Sequence, residues 1–161
     1  MELEGVRLEV PASAPVMMLR EQAGRRRLLP IYIGGPEAAA IHYAMEGIEP
    51  ARPLTHDLLG IVIGELGATL EKVVVTAIED HTFFAELHFV GPNGNRVVSS
   101  RPSDAVALSL RTGSPIFANE EVLDEAAQEE VVEEPVEEEE QILAEFQDFI
   151  DTVSPEDFAD G

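Results

Sequence analysis

Residues 82–108, TFFAELHFVGPNGNRVVSSRPSDAVAL, show the architecture of this 161-residue chain more clearly than any other segment. Apolar and polar side chains alternate over residues 82–90, which predicts a strand with one buried face. The Gly- and Asn-rich loop at residues 91–95 predicts a hairpin, with residues 96–100 as the returning strand. Pro102-Ser103-Asp104 is typical of a helix start, so a helix is expected to follow the hairpin.

The same arrangement recurs earlier in the chain. After a shift of 67 positions, Glu37-Ala38-Ala39-Ala40-Ile41 falls on Asp104-Ala105-Val106-Ala107-Leu108, and each run follows a predicted strand. We therefore expect an α+β fold in which duplicated β-β-β-α units form one pseudo-symmetric domain with a mixed, barrel-like sheet. A further helix is predicted between the units at residues 56–66, with Thr55 as its N-cap. Its apolar stripe has four members: Leu59, Val62, Ile63 and Leu66.

Acidic residues are distributed very unevenly. Residues 1–119 carry 14 acids and 10 bases, whereas residues 120–161 carry 18 acids and no base, which accounts for the net charge of −22. A nearly neutral body with an acidic appendage is compatible with nucleic-acid binding, which a uniformly acidic surface would oppose. We predict a domain at residues 1–125, an acidic disordered linker at 126–140, and an amphipathic C-terminal helix and tail at 141–161.

The tail contains apolar residues at helical spacing: Ile142, Leu143, Phe146, Phe149, Ile150 and Val153. Acidic residues lie between them, so the pattern predicts an amphipathic helix. Such a helix either docks on its own domain or binds a protein partner as a short linear motif.

The composition excludes several classes of protein. The chain has no Cys, which excludes disulfides, thiolate zinc sites and a Cys nucleophile. It contains no apolar run long enough for a membrane helix, and Met1-Glu2-Leu3-Glu4 is not typical of a signal peptide. Phosphate-binding loops, dinucleotide-binding motifs and nucleophile elbows are also absent from the sequence. We therefore expect a cytoplasmic protein that does not contact membranes.

Polar clusters stand at the starts of three of the predicted helices, namely the helix of each repeated unit and the helix at residues 56–66. The free backbone N–H groups and the dipole at a helix start favour anions such as phosphate. Arg52 and Arg101 are candidate phosphate-binding residues, because a guanidinium group donates paired hydrogen bonds to phosphate oxygens. A third basic group, Arg25-Arg26-Arg27, lies in a predicted turn and either contacts nucleic acid or is simply solvated.

The same clusters contain candidate catalytic and metal-binding residues. His56 and Asp57 form the candidate catalytic pair, with the imidazole of His56 as a general base. Glu37, Asp57 and Asp104 are candidate ligands for Mg²⁺ or Mn²⁺, since both ions prefer carboxylate oxygens. Two such ions would serve phosphodiester cleavage.

Each of these residues also has a purely structural interpretation. Ser103 is a suitable N-cap, and acids in the first helical turn are favoured for electrostatic reasons alone. In that case the two arginines would pair with nearby acids and hold the turns, Arg52 with Asp57 and Arg101 with Asp104.

Four motifs, taken in order, resemble the bifunctional nuclease family: Leu29-Pro30-Ile31-Tyr32-Ile33-Gly34, Glu37-Ala38-Ala39-Ala40-Ile41, Arg52-Pro53-Leu54-Thr55-His56-Asp57-Leu58-Leu59 and Arg101-Pro102-Ser103-Asp104-Ala105-Val106-Ala107-Leu108. The resemblance covers residues 3–125, and the tail is similar to the actinobacterial branch of the family. It implies an α+β domain of duplicated units that self-associates into a homo-oligomer and cleaves both DNA and RNA. Ser99 departs from the family pattern, which usually has an acid at this position.

Two functional hypotheses follow. The first is a low-specificity nuclease that hydrolyses DNA and RNA with the help of a divalent metal ion and uses the site residues named above. Such hydrolysis requires charge neutralisation at the phosphate and a positioned hydroxide. The second is a non-catalytic oligomeric module whose acidic tail helix binds a protein partner.

Overall fold

The computed structural model describes residues 1–9 and 14–129 of the chain. The C-terminal helix predicted at residues 141–161 therefore lies outside the described residues. Within the described part, no helix is long and apolar enough to cross a membrane.

The first sheet is an antiparallel meander of three strands. β1 (Glu2–Glu9), β2 (Ala14–Arg20) and β3 (Leu28–Tyr32) lie side by side in the order β1-β2-β3. The central strand β2 contributes the fully buried Leu19 to the core. Helix α1 (Gly35–Met45) follows β3 and packs on β1 and β2.

The second sheet has four strands. β4 (Thr69–Glu79), β5 (Thr82–Val90) and β6 (Arg96–Ser100) form another antiparallel meander. β7 (Ile116–Ala118) adds to β4 in parallel, so the strand order is β6-β5-β4-β7.

Helix α3 (Pro102–Thr112) lies at the centre of the domain and has seven buried residues. It packs on β4 and β5 of the second sheet and on helices α1 and α2 (Thr55–Glu65). Helix α4 (Glu120–Ala126) packs on β3 and β4. Because α1 covers the first sheet and α3 the second, a single hydrophobic core includes residues from both sheets.

The predicted α+β fold is confirmed. Three antiparallel strands followed by a helix occur twice, as β1-β2-β3-α1 and as β4-β5-β6-α3. In the described part the strands form two sheets instead of one barrel-like sheet, because no strand of β1–β3 pairs with a strand of β4–β7, although the Met1 ammonium donates a 2.7 Å hydrogen bond to the Ile116 carbonyl of β7. That the two units arose by duplication stays a prediction.

The chain remains attached to the domain for a few residues beyond position 125, where the sequence predicts the boundary. The backbones of Leu28 and Gln128 form a pair of hydrogen bonds, each 2.8 Å long. The guanidinium of Arg25 lies 3.6 Å from the carboxylate of Glu129. The greater part of the linker predicted at 126–140 lies outside the described residues, so its disorder stays a prediction.

The turn between β2 and β3 is largely neutralised and does not form a free basic patch. Its Arg27 is 3% exposed, and its guanidinium contacts Glu21 at 3.0 Å and both Glu120 and Asp124 at 2.8 Å. The hydrogen bonds from Arg27 hold the pKa of Glu21 below its ordinary value. The cluster joins this turn to α4, which supports a structural role for the basic turn.

Helix α2 differs from the prediction in its cap and in its burial. It begins at Thr55, and Leu54 occupies the N-cap position, so Thr55 is not the cap. No residue of α2 is fully buried, and within the predicted stripe Leu59 is 40%, Val62 43% and Leu66 72% exposed. Helical spacing identifies an apolar face, but it does not reveal whether the rest of the chain covers that face.

Candidate active site

The first turns of α1, α2 and α3 meet around a cleft of about 680 Å³. Four of the six predicted site residues line this cleft: Glu37, His56, Arg101 and Asp104. The convergence results from the packing of α3 against both α1 and α2. The cleft therefore brings together one candidate base, one candidate phosphate-binding residue and two of the three candidate metal ligands.

Arg101 lies at the centre of the cluster and is fixed by two acids. Its Nε and Nη2 atoms donate to the two carboxylate oxygens of Asp104 at 2.7 and 3.0 Å, and Nη1 lies 2.9 Å from Glu37 Oε1. The hydrogen bonds from Arg101 to Asp104 raise the pKa of the guanidinium. These contacts use three of its five N–H groups, and the side chain is 64% exposed, so the outer edge is open to a further anion.

His56 is held by the same carboxylate. Its Nε2 lies 3.0 Å from Asp104 Oδ1, and its side chain is 13% exposed. A carboxylate at this position favours the tautomer with the proton on Nε2, which leaves the lone pair of Nδ1 as a base. No buried side-chain nitrogen or oxygen of the described residues lacks a hydrogen-bond partner, so Nδ1 retains contact with solvent.

Asp104 is ionised although it is partly buried. Burial opposes its ionisation, but the hydrogen bonds from Arg101 and His56 outweigh this effect and hold its pKa below the ordinary value. The carboxylate therefore orients the imidazole and also stabilises a positive charge on it.

Asp57 lies next to His56 in the sequence, but it has a structural role. One carboxylate oxygen accepts a hydrogen bond from Arg111 Nε, and the other accepts one of 2.8 Å from the backbone N–H of Leu54. The second contact is the acid half of a capping box, which closes the start of α2. Mainly because of Arg111, the pKa of Asp57 lies below its ordinary value.

Arg111 is the important residue that sequence analysis missed. Its Nη1 and Nη2 donate to the carbonyls of Ala107 at 2.8 Å and Ala40 at 3.1 Å, so together with Asp57 it ties α1, α2 and α3 together. The signal in the sequence is weak, since a base in the last turn of a helix is favoured by the helix dipole in any case. The sequence instead suggested Arg52 as the partner of Asp57, which is wrong.

Arg52 does not line the cleft. It lies exposed in the loop before α2, and in the described part of the chain it forms no ion pair with the other candidates. The pairing of Arg101 with Asp104, expected from the structural interpretation, is confirmed.

The three predicted metal ligands do not all meet at one point. Glu37 and Asp104 both contact Arg101, whereas Asp57 contacts Arg111. Among the described residues, no group of three or more His, Asp or Glu side chains is placed to share an ion. The side chains present therefore do not fit a resident Mg²⁺ or Mn²⁺ ion held by these three acids.

Comparison with known proteins identifies the family. Residues 17–131 match the bifunctional nuclease domain. Uncharacterized proteins from two strains of Mycobacterium tuberculosis, CDC 1551 / Oshkosh and ATCC 25618 / H37Rv, are each 44% identical over 160 residues, which is 96% of this chain and 94% of theirs.

More distant relatives carry a functional name. Bifunctional nuclease 1 of Arabidopsis thaliana is 30% identical over 120 residues, which is 72% of this chain and 37% of the plant protein. Bifunctional nuclease 2 of Oryza sativa subsp. japonica is 28% identical over 112 residues, covering 66% of this chain and 34% of the relative. The matched segment includes every residue that lines the candidate cleft, and the chain belongs to the bifunctional nuclease domain family.

Proposed function

We propose that this chain hydrolyses phosphodiester bonds of DNA and RNA with low sequence specificity at the cleft between α1, α2 and α3. The observation that carries the proposal is the connected set formed by Arg101, Asp104 and His56, which combines an anion-binding group with an oriented base in an open cleft. Its placement within the segment that matches the nuclease family adds support.

Each residue has a defined part in the proposed reaction. The exposed edge of Arg101 binds the non-bridging oxygens of the phosphate and stabilises the charge that develops on them. His56 Nδ1 takes a proton from a water molecule as the water oxygen bonds to phosphorus. The bond from phosphorus to the leaving oxygen breaks on the opposite face, that oxygen takes a proton from solvent, and the imidazolium returns its proton to solvent. Asp104 keeps the imidazole oriented throughout.

This reaction scheme contains no step that depends on a metal ion. The two acids in the cleft are already paired with Arg101, and Asp57 is held by Arg111. The predicted assistance by Mg²⁺ or Mn²⁺ is therefore examined as a separate variable, with either ion or EDTA present in otherwise identical reactions.

The experiment compares His56→Ala with His88→Ala on plasmid DNA and single-stranded RNA. His88 is a matched control, because its Nε2 lies 3.1 Å from the Glu86 carboxylate on β5, a similar pair that does not line the cleft. We expect His56→Ala to lower the cleavage rate by about 100-fold or more, which is the usual contribution of a general base. Equal rates for the two variants would contradict the site.

A second candidate function, an oligomeric interaction module, is favoured by the surface of α2. Leu58 is 53%, Ile61 49% and Leu66 72% exposed, and Leu54, Leu59 and Val62 are each at least 40% exposed. An apolar surface of this kind is typical of a protein contact. The predicted binding of a partner by the acidic tail helix concerns residues outside the described part and stays a prediction.

Light scattering after size exclusion tests this surface. If α2 forms the contact between copies of a homo-oligomer, Leu58→Glu should produce monomers, whereas Val97→Glu on β6 should not. Val97 is a suitable control because it is 55% exposed and lies on a different element. A wild-type chain that is already monomeric at micromolar concentration would contradict the module.

A further inference from the structure

A second cleft, of about 360 Å³, opens on the other side of Arg101. It is lined by the end of β3, by the turn between β4 and β5, and by the start of α3. Tyr32, His81 and Phe83 are among the residues that line it, and Tyr32 also borders a separate cleft beside Pro30 on the first sheet. Arg101 borders both this cleft and the cleft that contains His56, so a phosphate bound to Arg101 would lie between the two.

The turn that carries His81 has an unusual backbone. Asp80 and His81 both have positive φ, at 47° and 62°. Two-residue hairpin turns of this kind favour Gly at the second position, because a side chain there opposes a left-handed backbone. This chain places a histidine at that position instead, and His81 lines the same cleft as Arg101.

The three rings are accessible to different extents. Tyr32 is 62% exposed, His81 is exposed, and Phe83 is half-buried and packs against the hydrophobic core. Flat aromatic surfaces beside a guanidinium are the features that bind unpaired bases, since a base stacks on the ring while the cation holds the adjacent phosphate.

We infer that this cleft is a nucleobase subsite in which Tyr32 and His81 stack on an unpaired base next to the phosphate bound by Arg101. The inference rests on the proposed function and makes it more specific, because it assigns single-stranded nucleic acid as the preferred substrate. In a duplex the bases are stacked and paired with one another, so a base must leave the helix before it enters a cleft on the protein.

Fluorescence anisotropy tests the subsite with the full chain. The probes are a labelled single-stranded oligonucleotide of about 12 nucleotides, within the usual site size, and the duplex of the same sequence. All binding variants carry His56→Ala, so that cleavage does not alter the probe. The tested changes are His81→Gly and Tyr32→Ala, with Tyr32→Phe and Phe84→Ala as controls. Tyr32→Phe retains the ring, and Phe84 is exposed on β5 and does not line the cleft.

We expect His81→Gly and Tyr32→Ala to weaken binding of the single strand about tenfold, as the loss of one stacking contact does. The two controls should bind like the parent protein, and the duplex should bind more weakly than the single strand. His81→Gly should also be at least as stable to heat as the parent, because Gly relieves the positive φ, so its weaker binding would not result from unfolding.

Two further outcomes separate this inference from the proposed function. If His56→Ala abolishes cleavage while His81→Gly and Tyr32→Ala leave affinity unchanged, the subsite is wrong and the catalytic site stands. If the duplex binds as tightly as the single strand, the subsite is also wrong. If the intact chain binds neither probe, both proposals are overturned.

Discussion

The imidazole of His56 and the carboxylate of Asp104 lie 3.0 Å apart, although 48 residues separate them along the chain. The contact joins the first turn of α2 to the first turn of α3, and the same carboxylate binds Arg101. A base, the group that orients it and a phosphate-binding cation thus form one continuous set. A second contact between the same two helices, from Asp57 to Arg111, holds this set in place without being part of it.

Asp57→Asn should lower stability more than it alters chemistry. It removes the charge that Arg111 and the Leu54 N–H bind, so we expect a loss of about 1.5–3 kcal/mol in the free energy of unfolding at pH 7. Urea denaturation measures this loss. A variant with wild-type stability that cannot cleave would contradict the structural role and would return Asp57 to the catalytic pair.

The stability lost in Asp57→Asn should depend on pH with a definite sign. The pKa of Asp57 is lowered in the folded state, so folding is favoured where the carboxyl is ionised. The contribution of Asp57 to the free energy of unfolding is complete above the ordinary Asp pKa of about 3.9. It disappears as the pH falls through the lower pKa that Asp57 has in the folded state. The difference between wild type and variant should therefore be constant from pH 7 to about 5 and shrink in stronger acid. A difference that grows on acidification would contradict the ion pair.

Arg101 and Arg52 should behave differently, although the sequence places both in the same candidate role. Arg101→Gln should lower kcat/KM by about 100-fold, as the loss of a donor to a developing oxyanion does. Arg101→Lys should recover little of the kcat/KM lost in Arg101→Gln, since one ammonium does not reproduce the paired geometry of a guanidinium. Arg52→Gln should have little effect, because Arg52 lies outside the cleft. Steady-state kinetics on a short RNA gives kcat/KM for the three variants. Equal losses in Arg52→Gln and Arg101→Gln would contradict the assignment of phosphate binding to Arg101.

Arg27→Gln should destabilise the fold and leave nucleic-acid affinity unchanged. The substitution leaves the acids of the cluster without their buried cation, and it loosens the contact between α4 and the β2–β3 turn. The midpoint of thermal unfolding should fall, whereas Arg26→Gln, a change at an exposed neighbour, should leave it unaffected. Reduced affinity for nucleic acid in a fully folded Arg27→Gln variant would show that the basic turn is a binding surface after all.

Local sequence signals predict where helices and strands lie, but they predict only some of the contacts between them. The start of α3 was evident because Pro102-Ser103-Asp104 is a local signal that needs no distant partner. The convergence of Glu37, Arg101 and Asp104 depends on the packing of α1 against α3, which their common position at helix starts does not reveal. The contact between Asp57 and Arg111 depends on how α2 and α3 pack, and no spacing rule reaches across 54 residues.

Burial was harder to predict than secondary structure. The spacing of Leu59 and Val62 indicates a helix with an apolar face, but whether this face is covered depends on the other elements and on other chains. Arg27 shows an error in the opposite direction, since a residue predicted to be solvated is buried. The run of three arginines predicts a solvated turn. In the structure, Glu21 just after the end of β2 and two acids of α4 surround Arg27.

In the proposed reaction the carboxylate of Asp104 makes His56 an effective base. The most direct measurement compares the rates at which Asp104→Asn and Glu86→Gln cleave single-stranded RNA and plasmid DNA, with circular dichroism to verify folding. Glu86 is the matched control, since it holds His88 as Asp104 holds His56. We expect Asp104→Asn to fold but to lose about 100-fold or more in rate on both substrates, while Glu86→Gln cleaves like the wild type. Wild-type cleavage by folded Asp104→Asn would contradict it.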